Sequence, residues 1–410
     1  MKILHLNTFD DPIDGGGAEV VLWELMRGLA GAGHDNVLLS TSNQPGLKRK
    51  ERDGFSIWRA GLRNLYWPGN HTPKGAALRA VWHAVDSYNP WMQNHLRQVL
   101  RTERPDVVTV HSLSGWSAAA WKTIQSEGIP IVQVLHDHYL LCPKTTMFNK
   151  GHNCEKQCTS CHLLRLWHPS LSNIVSAVVG VSRYILERHL AFGCFQDVAL
   201  RRVIHNVRSP DYLGLDEPSP RRESRAGLRI GFIGQLLPTK GVGILIDAFK
   251  AAALPNAELW IAGSGKPDYA ASLHQNAASI SVRFLGRVAP RDFYPQVDIV
   301  VVPSLWQEPL GLVVVEALAF GKPVIASRRG GIPEMIKDGE NGILFEPNRP
   351  GELRAALGLL AKDSEMLARM GEVAKISAGP FLDQRQWITE YLGFYENIIT
   401  SQARKGVPNG

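Results

Sequence analysis

Short apolar runs alternate with longer stretches of helical periodicity along most of the chain. Runs rich in valine and isoleucine are typical of parallel strands that are buried on both faces. In the first half they predict strands at Lys2–Leu6, Asn36–Leu39, Phe55–Arg59, Asp106–Val110, Ile131–Leu135, Ala177–Val181 and Arg202–Ile204. In the second half they predict strands at Arg229–Ile233, Glu258–Ala262, Val282–Leu285, Ile299–Val302, Val324–Ala326 and Gly342–Phe345. Strands that alternate with helices predict an α/β fold built on doubly wound sheets.

The strand–helix pattern restarts near Arg229, after a polar stretch that contains several prolines. We therefore predict two Rossmann-like domains that face each other across a cleft, at residues 1–208 and 229–380, joined by a linker at 209–228. Apolar positions recur at helical spacing at Trp387, Tyr391 and Tyr395, which predicts a C-terminal helix within 381–400. The last ten residues, 401–410, are predicted to form a tail.

Charge divides unequally between the two halves. Residues 1–210 carry 23 basic and 16 acidic side chains, whereas residues 211–410 carry 22 of each, so the formal charge of +7 lies in the first half. This asymmetry indicates either an anionic partner, such as a membrane surface or a phosphorylated acceptor, or a solvated basic face. Nucleic acid is not expected, because no nucleic-acid-binding motif accompanies the charge. An apolar run of membrane-spanning length and a signal peptide are also absent from the sequence, which favours a cytoplasmic protein.

The densest candidate chemistry follows the strand Ile299–Val302. Sites on doubly wound sheets form at the carboxyl ends of strands, beside helix N-termini. Gly311 and Leu312 would begin a helix and offer free backbone N–H groups to an anion. Glu308 and Glu316 are too far apart to contact one phosphate, so they suit hydroxyl groups on a sugar and on a ribose. The alternative is that one glutamate is only a favourable charge near the helix start.

Several other loops also follow predicted strands. Lys240 lies at the mouth of the helix Gly243–Ala252, where a cation opposes the helix dipole unless it serves an anion. Arg328 and Arg329 add two cations after a later strand. Glycines permit close approach of a ligand, and they follow three of the predicted strands. These candidate ligand-binding glycines are Gly16, Gly17, Gly263 and Gly286. Arg287 comes directly after Gly286.

The whole set resembles the signature of the family 4 retaining glycosyltransferases. The resemblance rests on the glutamate pair separated by seven residues, the Gly-Lys-Pro-Val after its helix, the Gly-Gly-Ile-Pro-Glu stretch and the Lys240-Gly241 pair, in the family's order. It implies the GT-B fold, a nucleotide-diphosphate sugar as donor and a C-terminal helix that crosses back to the first domain. One residue departs from the family pattern, because Gln235 stands where many members have an arginine that holds the diphosphate.

The resemblance also gives roles to side chains in the first half. His111 ends the strand Asp106–Val110, where a lone histidine is often only structural. Its likeness to the family's catalytic-pocket histidine implies that it contacts the donor sugar, and makes it a catalytic candidate with Lys240 and Glu308. His136 and Asp137 end the next strand and resemble an acceptor-side element.

Four of the five cysteines fall within residues 142–162, at Cys142, Cys154, Cys158 and Cys161. In a cytosolic protein this spacing favours a structural metal over disulfides, with zinc expected before an iron–sulfur cluster. The alternative is a loop with reduced thiols.

The sequence therefore predicts a retaining glycosyltransferase that transfers sugar to a glycan or lipid-linked hydroxyl without a catalytic metal. Such an enzyme would serve bacterial cell-surface polysaccharide synthesis, with peripheral contact at the inner membrane. Two alternatives remain at this stage. They are a nucleotide-sugar-binding scaffold without activity and a nucleotide-sugar epimerase of the same fold.

Overall fold

The computed structural model describes residues 1–11, 16–70, 74–218 and 227–405. The described chain divides into two compact units. Unit 1 comprises Met1–Met147, Cys154–His205 and Arg385–Gly410, and unit 2 comprises Phe148–Asn153 and Asn206–Gln384. Much of the predicted linker, residues 219–226, lies outside the described residues. Its described part contains a short helix, α8 (Pro210–Leu213).

Unit 1 is built on an eight-stranded sheet. Its strands are β1 (Lys2–Leu6), β2 (Asp35–Ser42), β3 (Leu47–Arg52), β4 (Phe55–Gly61), β5 (Val107–Val110), β6 (Ile131–Leu135), β9 (Ala177–Gly180) and β10 (Leu200–Val203). They lie in the order β10-β9-β6-β5-β1-β2-β4-β3, and all neighbours are parallel except β3 and β4. Because β5 and β2 flank β1 on opposite sides, the order reverses at β1, and ligands bind beside such a switch point.

Helices cover this sheet. They are α1 (Gly17–Gly31), α2 (Ala76–Ser87), α3 (Gln93–Glu103), α4 (Ala119–Ser126), α5 (Thr159–Leu164), α6 (His168–Ser172) and α7 (Arg183–Ala191). The C-terminal helix α15 (Gln384–Lys405) also packs here, since Thr109 on β5 donates a buried hydrogen bond to the Tyr395 hydroxyl at 3.1 Å. No helix in the described ranges is long and apolar enough to cross a membrane.

Unit 2 contains a six-stranded sheet in which every neighbouring pair is parallel. Its strands are β11 (Arg229–Ile233), β12 (Glu258–Ala262), β13 (Val282–Gly286), β14 (Ile299–Val302), β15 (Val324–Ser327) and β16 (Gly342–Phe345). The order β13-β12-β11-β14-β15-β16 is that of a Rossmann sheet. Its switch point lies between β11 and β14, so the loops after these two strands lie side by side.

The helices of unit 2 bury apolar faces against this sheet. They are α9 (Val242–Ala252), α10 (Pro267–Ala277), α11 (Pro290–Phe293), α12 (Leu312–Ala319), α13 (Pro350–Lys362) and α14 (Ser364–Ser377). The core collects alternate strand residues such as Ile230, Leu259 and Ile299, all fully buried, with Leu245 of α9 and Leu357 of α13. The predicted α/β class with two Rossmann-like parallel sheets is confirmed.

Three features differ from the strand predictions. Strand β3 has the sequence LKRKER and carries too few apolar residues to be detected, because it is an edge strand whose charged side chains face solvent. The second feature is a short hairpin of β7 (Phe148–Asn149) and β8 (His152–Asn153), which lies within the cysteine-rich segment. Strand β10 also begins and ends earlier than predicted.

Candidate functional site

The loops after β11 and β14 meet at the unit 2 switch point. The Leu305 amide donates to the Thr239 carbonyl at 2.8 Å. Gly241 adopts a φ of 72°, and a Cβ there would lie 1.8 Å from the Pro303 carbonyl oxygen. Only glycine fits this position, because the backbone conformation is left-handed and the approach leaves no room for a side chain. The two loops, residues 234–241 and 303–311, therefore pack directly against each other, and together they form the floor of the unit 2 site.

Lys240 and Glu308 are brought together on this floor. Lys240 lies in a 3₁₀ turn, Pro238–Lys240, and its Nζ donates to Glu308 Oε1 at 2.6 Å. The Ser304 hydroxyl donates to the same oxygen at 2.6 Å. Glu308 is buried, whereas the Lys240 side chain is 27% exposed and lies over the Trp306 ring. The carboxylate thus fixes a cation that can still reach a ligand.

Glu316 lies on α12. The residue before this helix, Gly311, adopts a left-handed conformation with a φ of 99°. Both carboxylate oxygens of the buried Glu316 are engaged: Arg208 Nε donates to Oε1 and the Tyr294 hydroxyl to Oε2, each at 2.9 Å. Burial raises the pKa of Tyr294 well above its usual value, so this hydroxyl stays a donor. Each carboxylate oxygen accepts more than one hydrogen bond, so Glu316 retains capacity for ligand hydroxyls.

The remaining donor-side candidates line the carboxyl ends of neighbouring strands. Gly263 adopts a φ of 134°, and a Cβ there would lie 1.8 Å from the Gly234 carbonyl oxygen, so this loop packs against the loop that carries Gln235. Gln235 is exposed. Gly286 ends β13, and the following Arg287 donates from Nε to the Ser264 hydroxyl at 3.1 Å.

Arg328 and Arg329 are both held by acids. Arg328 pairs with Asp338, and Arg329 donates to Glu346 at 2.9 Å. Lys240 and the α12 N-terminus are the positive groups that lie beside Glu308.

Three residues of the unit 2 site have no sequence signal of their own. Arg208 and Tyr294 are distant in sequence from Glu316, and Asn153 belongs to the short hairpin. The Asn153 amide donates to the Leu305 carbonyl at 2.7 Å and accepts from the Gln307 amide at 3.0 Å. It thereby fixes the backbone directly before Glu308.

In unit 1, His111 follows β5 at the switch point beside β1. It is buried between two other histidines: its Nε2 lies 3.1 Å from His5 Nδ1, and its Nδ1 lies 3.0 Å from His136 Nε2. Burial lowers the pKa of His5 and of His136 to about 4, and it lowers the pKa of His111 well below the usual value. All three rings are therefore neutral at neutral pH. His5 is a site residue that the sequence reasoning missed.

Asp137 follows His136 and accepts a hydrogen bond from the Tyr139 amide at 2.7 Å. Burial raises the pKa of Asp137 to about 6, and the nearby Glu19 raises it further. His111, His136 and Asp137 line one small cavity together with neighbouring residues of β6. The structure therefore brings the first-half candidates together.

The glycine-rich loop before α1 is described only in part, because residues 12–15 lie outside the described ranges. The backbone N–H of Gly16 donates to Glu19 Oε2 at 2.8 Å. This N–H therefore takes part in the cap of α1 and is not directed at an anion. Gly17 is the first residue of α1 and is exposed. Burial raises the pKa of Glu19.

The Sγ atoms of Cys142 and Cys161 lie 3.8 Å apart. Two thiolates on one tetrahedral zinc ion would lie at about this separation, given Zn–S bonds of about 2.3 Å. However, no three His, Cys, Asp or Glu side chains within the described ranges are arranged to hold a metal ion. As arranged, Cys142, Cys154, Cys158 and Cys161 do not form a complete site.

Two protein-family models match the sequence, one in each half of the chain. The model of the Glycosyltransferase Family 4 domain matches residues 15–211, and that of the Glycosyl transferases group 1 matches residues 221–377. A protein of the cps region of Klebsiella pneumoniae is 32% identical over 338 residues, which cover 82% of this chain and 88% of that protein. An uncharacterized glycosyltransferase of Methanocaldococcus jannaschii is 27% identical, with 73% and 85% covered.

Solved structures share the fold over nearly the full length. Sucrose-phosphate synthase from Thermosynechococcus elongatus superposes with a TM-score of 0.75 at 17% identity, covering 98% of this chain and 99% of that one. HepE of Anabaena, in complex with UDP and glucose, gives a TM-score of 0.70 at 20% identity, with 97% and 100% covered. Both likenesses concern the two-domain GT-B fold.

Proposed function

Because the chain belongs to the glycosyltransferases of the GT-B fold, we propose that it is a retaining enzyme that transfers a sugar from a nucleotide-diphosphate sugar to a hydroxyl group. The acceptor is a glycan or a lipid-linked sugar, and the pathway is cell-surface polysaccharide synthesis. The observation that carries the proposal is the Lys240–Glu308 pair at the unit 2 switch point, beside the N-terminus of α12. The relative in the Klebsiella cps region supports the assignment to polysaccharide synthesis.

We assign the donor to unit 2. Lys240 and the α12 N-terminus offer positive charge to the diphosphate, and the remaining acceptor capacity of Glu316 suits ribose hydroxyls. HepE of Anabaena was solved with UDP-glucose, which supports a nucleotide sugar as the ligand of this fold. The catalytic task is then electrostatic, because the leaving diphosphate gains charge as the glycosidic bond breaks.

We assign the acceptor to the His136 and Asp137 side of unit 1. No carboxylate is assigned as a nucleophile, so retention follows from a front-face reaction in which the leaving diphosphate accepts the proton of the incoming hydroxyl. Lys240 and the helix dipole supply the charge that a divalent ion supplies in other transferases. Activity should therefore persist in EDTA.

The experiment has two steps. A thermal-shift screen with UDP, GDP, ADP and their sugars identifies the donor, because a ligand stabilises the folded state by mass action. Mass spectrometry then detects the product from an acceptor panel, and NMR of its anomeric signal determines whether configuration is retained. Donor binding without any product would favour the scaffold alternative. An epimerised nucleotide sugar would favour the epimerase, and an inverted product would refute the retaining mechanism.

We also assign a membrane contact to an apolar patch on unit 1, formed by exposed residues of α2 and of the segment around α5, which pack together. The patch consists of Leu78, Val81, Leu163, Leu166 and Trp167, which are 41% to 67% exposed. Burial lowers the pKa of His83 on α2 to about 4, and the nearby cations Arg165, Arg79 and Lys144 lower it further. Apolar side chains beside cations suit an anionic bilayer surface.

Co-sedimentation with phosphatidylcholine vesicles, with and without phosphatidylglycerol, tests this contact. Trp167→Ser with Leu163→Ser should weaken binding to the anionic vesicles. Leu359→Ser with Ile376→Ser is the matched control, since these residues are similarly exposed but belong to unit 2. Equal loss in both double variants, or no binding by the unmodified protein, would refute the patch assignment.

A further inference from the structure

A hydrogen-bonded chain of four polar side chains, three of them buried and the fourth half-buried, runs through unit 1 and ends at the half-buried His136. Asn36 Oδ1 lies 2.9 Å from His5 Nε2, His5 Nδ1 lies 3.1 Å from His111 Nε2, and His111 Nδ1 lies 3.0 Å from His136 Nε2. Asn36, His5 and His111 are 7%, 0% and 5% exposed. Solvent therefore does not decide which ring nitrogen carries each proton.

Asn36 determines which atom donates and which accepts in each hydrogen bond of this series. Its Nδ2 donates to the His34 carbonyl at 2.9 Å, and this bond fixes which side of the amide is oxygen. The reversed amide would place its oxygen against the His34 oxygen, acceptor against acceptor. Consequently Asn36 presents an oxygen to His5, and His5 Nε2 must carry a proton in order to bond to it.

One proton arrangement follows for neutral rings. Since His5 carries its proton on Nε2, its Nδ1 accepts, and His111 must donate from Nε2. His111 Nδ1 then accepts, and His136 must donate from Nε2. The lowered pKa values of all three histidines agree with neutral rings. A proton on both His111 nitrogens would instead force His136 to carry its proton on Nδ1.

The free end of the chain is His136 Nδ1. It is a buried nitrogen without a hydrogen-bond partner in the described structure. In the arrangement above it is a bare acceptor, and a buried acceptor without a donor costs free energy. His136 also lines the small cavity shared with His111 and Asp137. A hydroxyl group is a donor that fits a neutral imidazole nitrogen at such a place.

We propose that Asn36 and His5 are positioning residues, which hold the Nε2–H tautomers of His111 and His136 so that His136 Nδ1 accepts a hydrogen bond from a sugar hydroxyl. The chain does not conduct protons onward, because the Asn36 amide oxygen ends it. The role of the hydroxyl rests on the proposed function, whereas the tautomers can be tested without it.

The first test is nitrogen NMR of histidine side chains, with the three rings assigned by single substitution. In the unmodified protein, His5, His111 and His136 should all show protonated Nε2 and bare Nδ1. Asn36→Leu removes the fixed acceptor and should change the ratio of tautomers at all three rings. Asn89→Leu is the control, since Asn89 is a buried asparagine of unit 1 outside the chain.

The second test is kinetic, with the donor and acceptor found by the product assay. Asn36→Leu should lower transfer by roughly 10- to 100-fold, the range known for metal-binding histidines that lose the partner orienting the ring. A raised KM for the donor alone would assign the hydroxyl to the transferred sugar, and a raised KM for the acceptor alone would assign it to the acceptor.

Three results would overturn the proposal. They are a protonated Nδ1 on His136 in the unmodified protein, unchanged tautomers in folded Asn36→Leu, and changed tautomers with unchanged kcat and KM for both substrates. A protein that makes no product with any donor would refute the proposed function, and the NMR measurement would still decide whether Asn36 sets the tautomers. If Asn36→Leu does not fold, His5→Gln breaks the same chain at its second link.

Discussion

Replacing Lys240 by methionine tests the unit 2 site most directly. Methionine keeps the length of the side chain but removes the ammonium group that donates to Glu308 at 2.6 Å. Glu308, whose side chain is 7% exposed, then retains only the Ser304 hydroxyl among its two side-chain donors. The substitution therefore removes the proposed diphosphate contact and also leaves a buried carboxylate without its cation.

The two effects have different magnitudes. Breaking a fully buried ion pair costs about 3–5 kcal/mol, but the Lys240 side chain is 27% exposed, so we expect about 2 kcal/mol. For a domain of unit 2's size that is a decrease in melting temperature of about 4–8 °C. Loss of one preorganised contact to a developing negative charge typically costs about 100- to 1,000-fold in kcat.

A double-mutant cycle separates structure from catalysis. Glu308→Gln alone leaves Lys240 without its partner, whereas Lys240→Met with Glu308→Gln removes both charges. The double variant should be more stable than the sum of the single effects predicts, by about 1–2 kcal/mol. Transfer should stay low in all three variants, because the diphosphate contact is absent or displaced in each. Melting curves and initial rates measure the two quantities.

Arg291→Met is the matched control. Arg291 pairs with Glu217 at the surface, with side chains 50% and 56% exposed, so stability and transfer should change little. Recovery of transfer in the Lys240→Met, Glu308→Gln double variant would show that Lys240 acts only by balancing Glu308. Unmodified turnover by folded Lys240→Met would refute the donor-site assignment altogether.

Four further predictions follow from single features. Glu316→Gln should weaken nucleoside diphosphate binding about tenfold or more in calorimetry, because a buried acceptor is lost; unchanged affinity would remove Glu316 from the site. Gln235→Arg should tighten the same binding, since it adds charge-assisted hydrogen bonds, and weaker binding would contradict this. The free energy of unfolding, measured by urea titration, should fall as the pH is lowered from about 7 to about 5. Burial lowers the pKa of His168 in the folded protein to about 3, so the unfolded chain binds more protons in this range. A rise in the free energy of unfolding would instead indicate that Asp86 dominates, because burial raises its pKa to about 7. A structural metal in the cysteine segment requires about one zinc per chain in protein purified without chelator, and metal-free protein with four titratable thiols would contradict it.

The predicted strands of unit 2 agree closely with the structure, most clearly at β14 and β15, whose residues are all buried. Local signals were equally informative at helix ends. The helix predicted to begin at Gly311 and Leu312 is α12, which Gly311 precedes in a left-handed conformation. Strand β3 shows the limit of this reasoning, because an edge strand needs no apolar face to be paired.

By itself, the sequence determined the α/β class, the second-half strands and the loops that hold Lys240, Glu308 and His111. These depend on local periodicity and on residues near one another in the chain. Only the tertiary structure decided that Arg208 and Tyr294 hold Glu316, that Arg328 and Arg329 are bound to acids, and that Asn36 and His5 align His111. The contacts of Arg208 and Tyr294 with Glu316 join segments that are far apart in the sequence and adjacent only in the folded protein. The sequence pattern does not predict such hydrogen-bond partners, because a buried acceptor can be paired with any donor that the fold brings next to it.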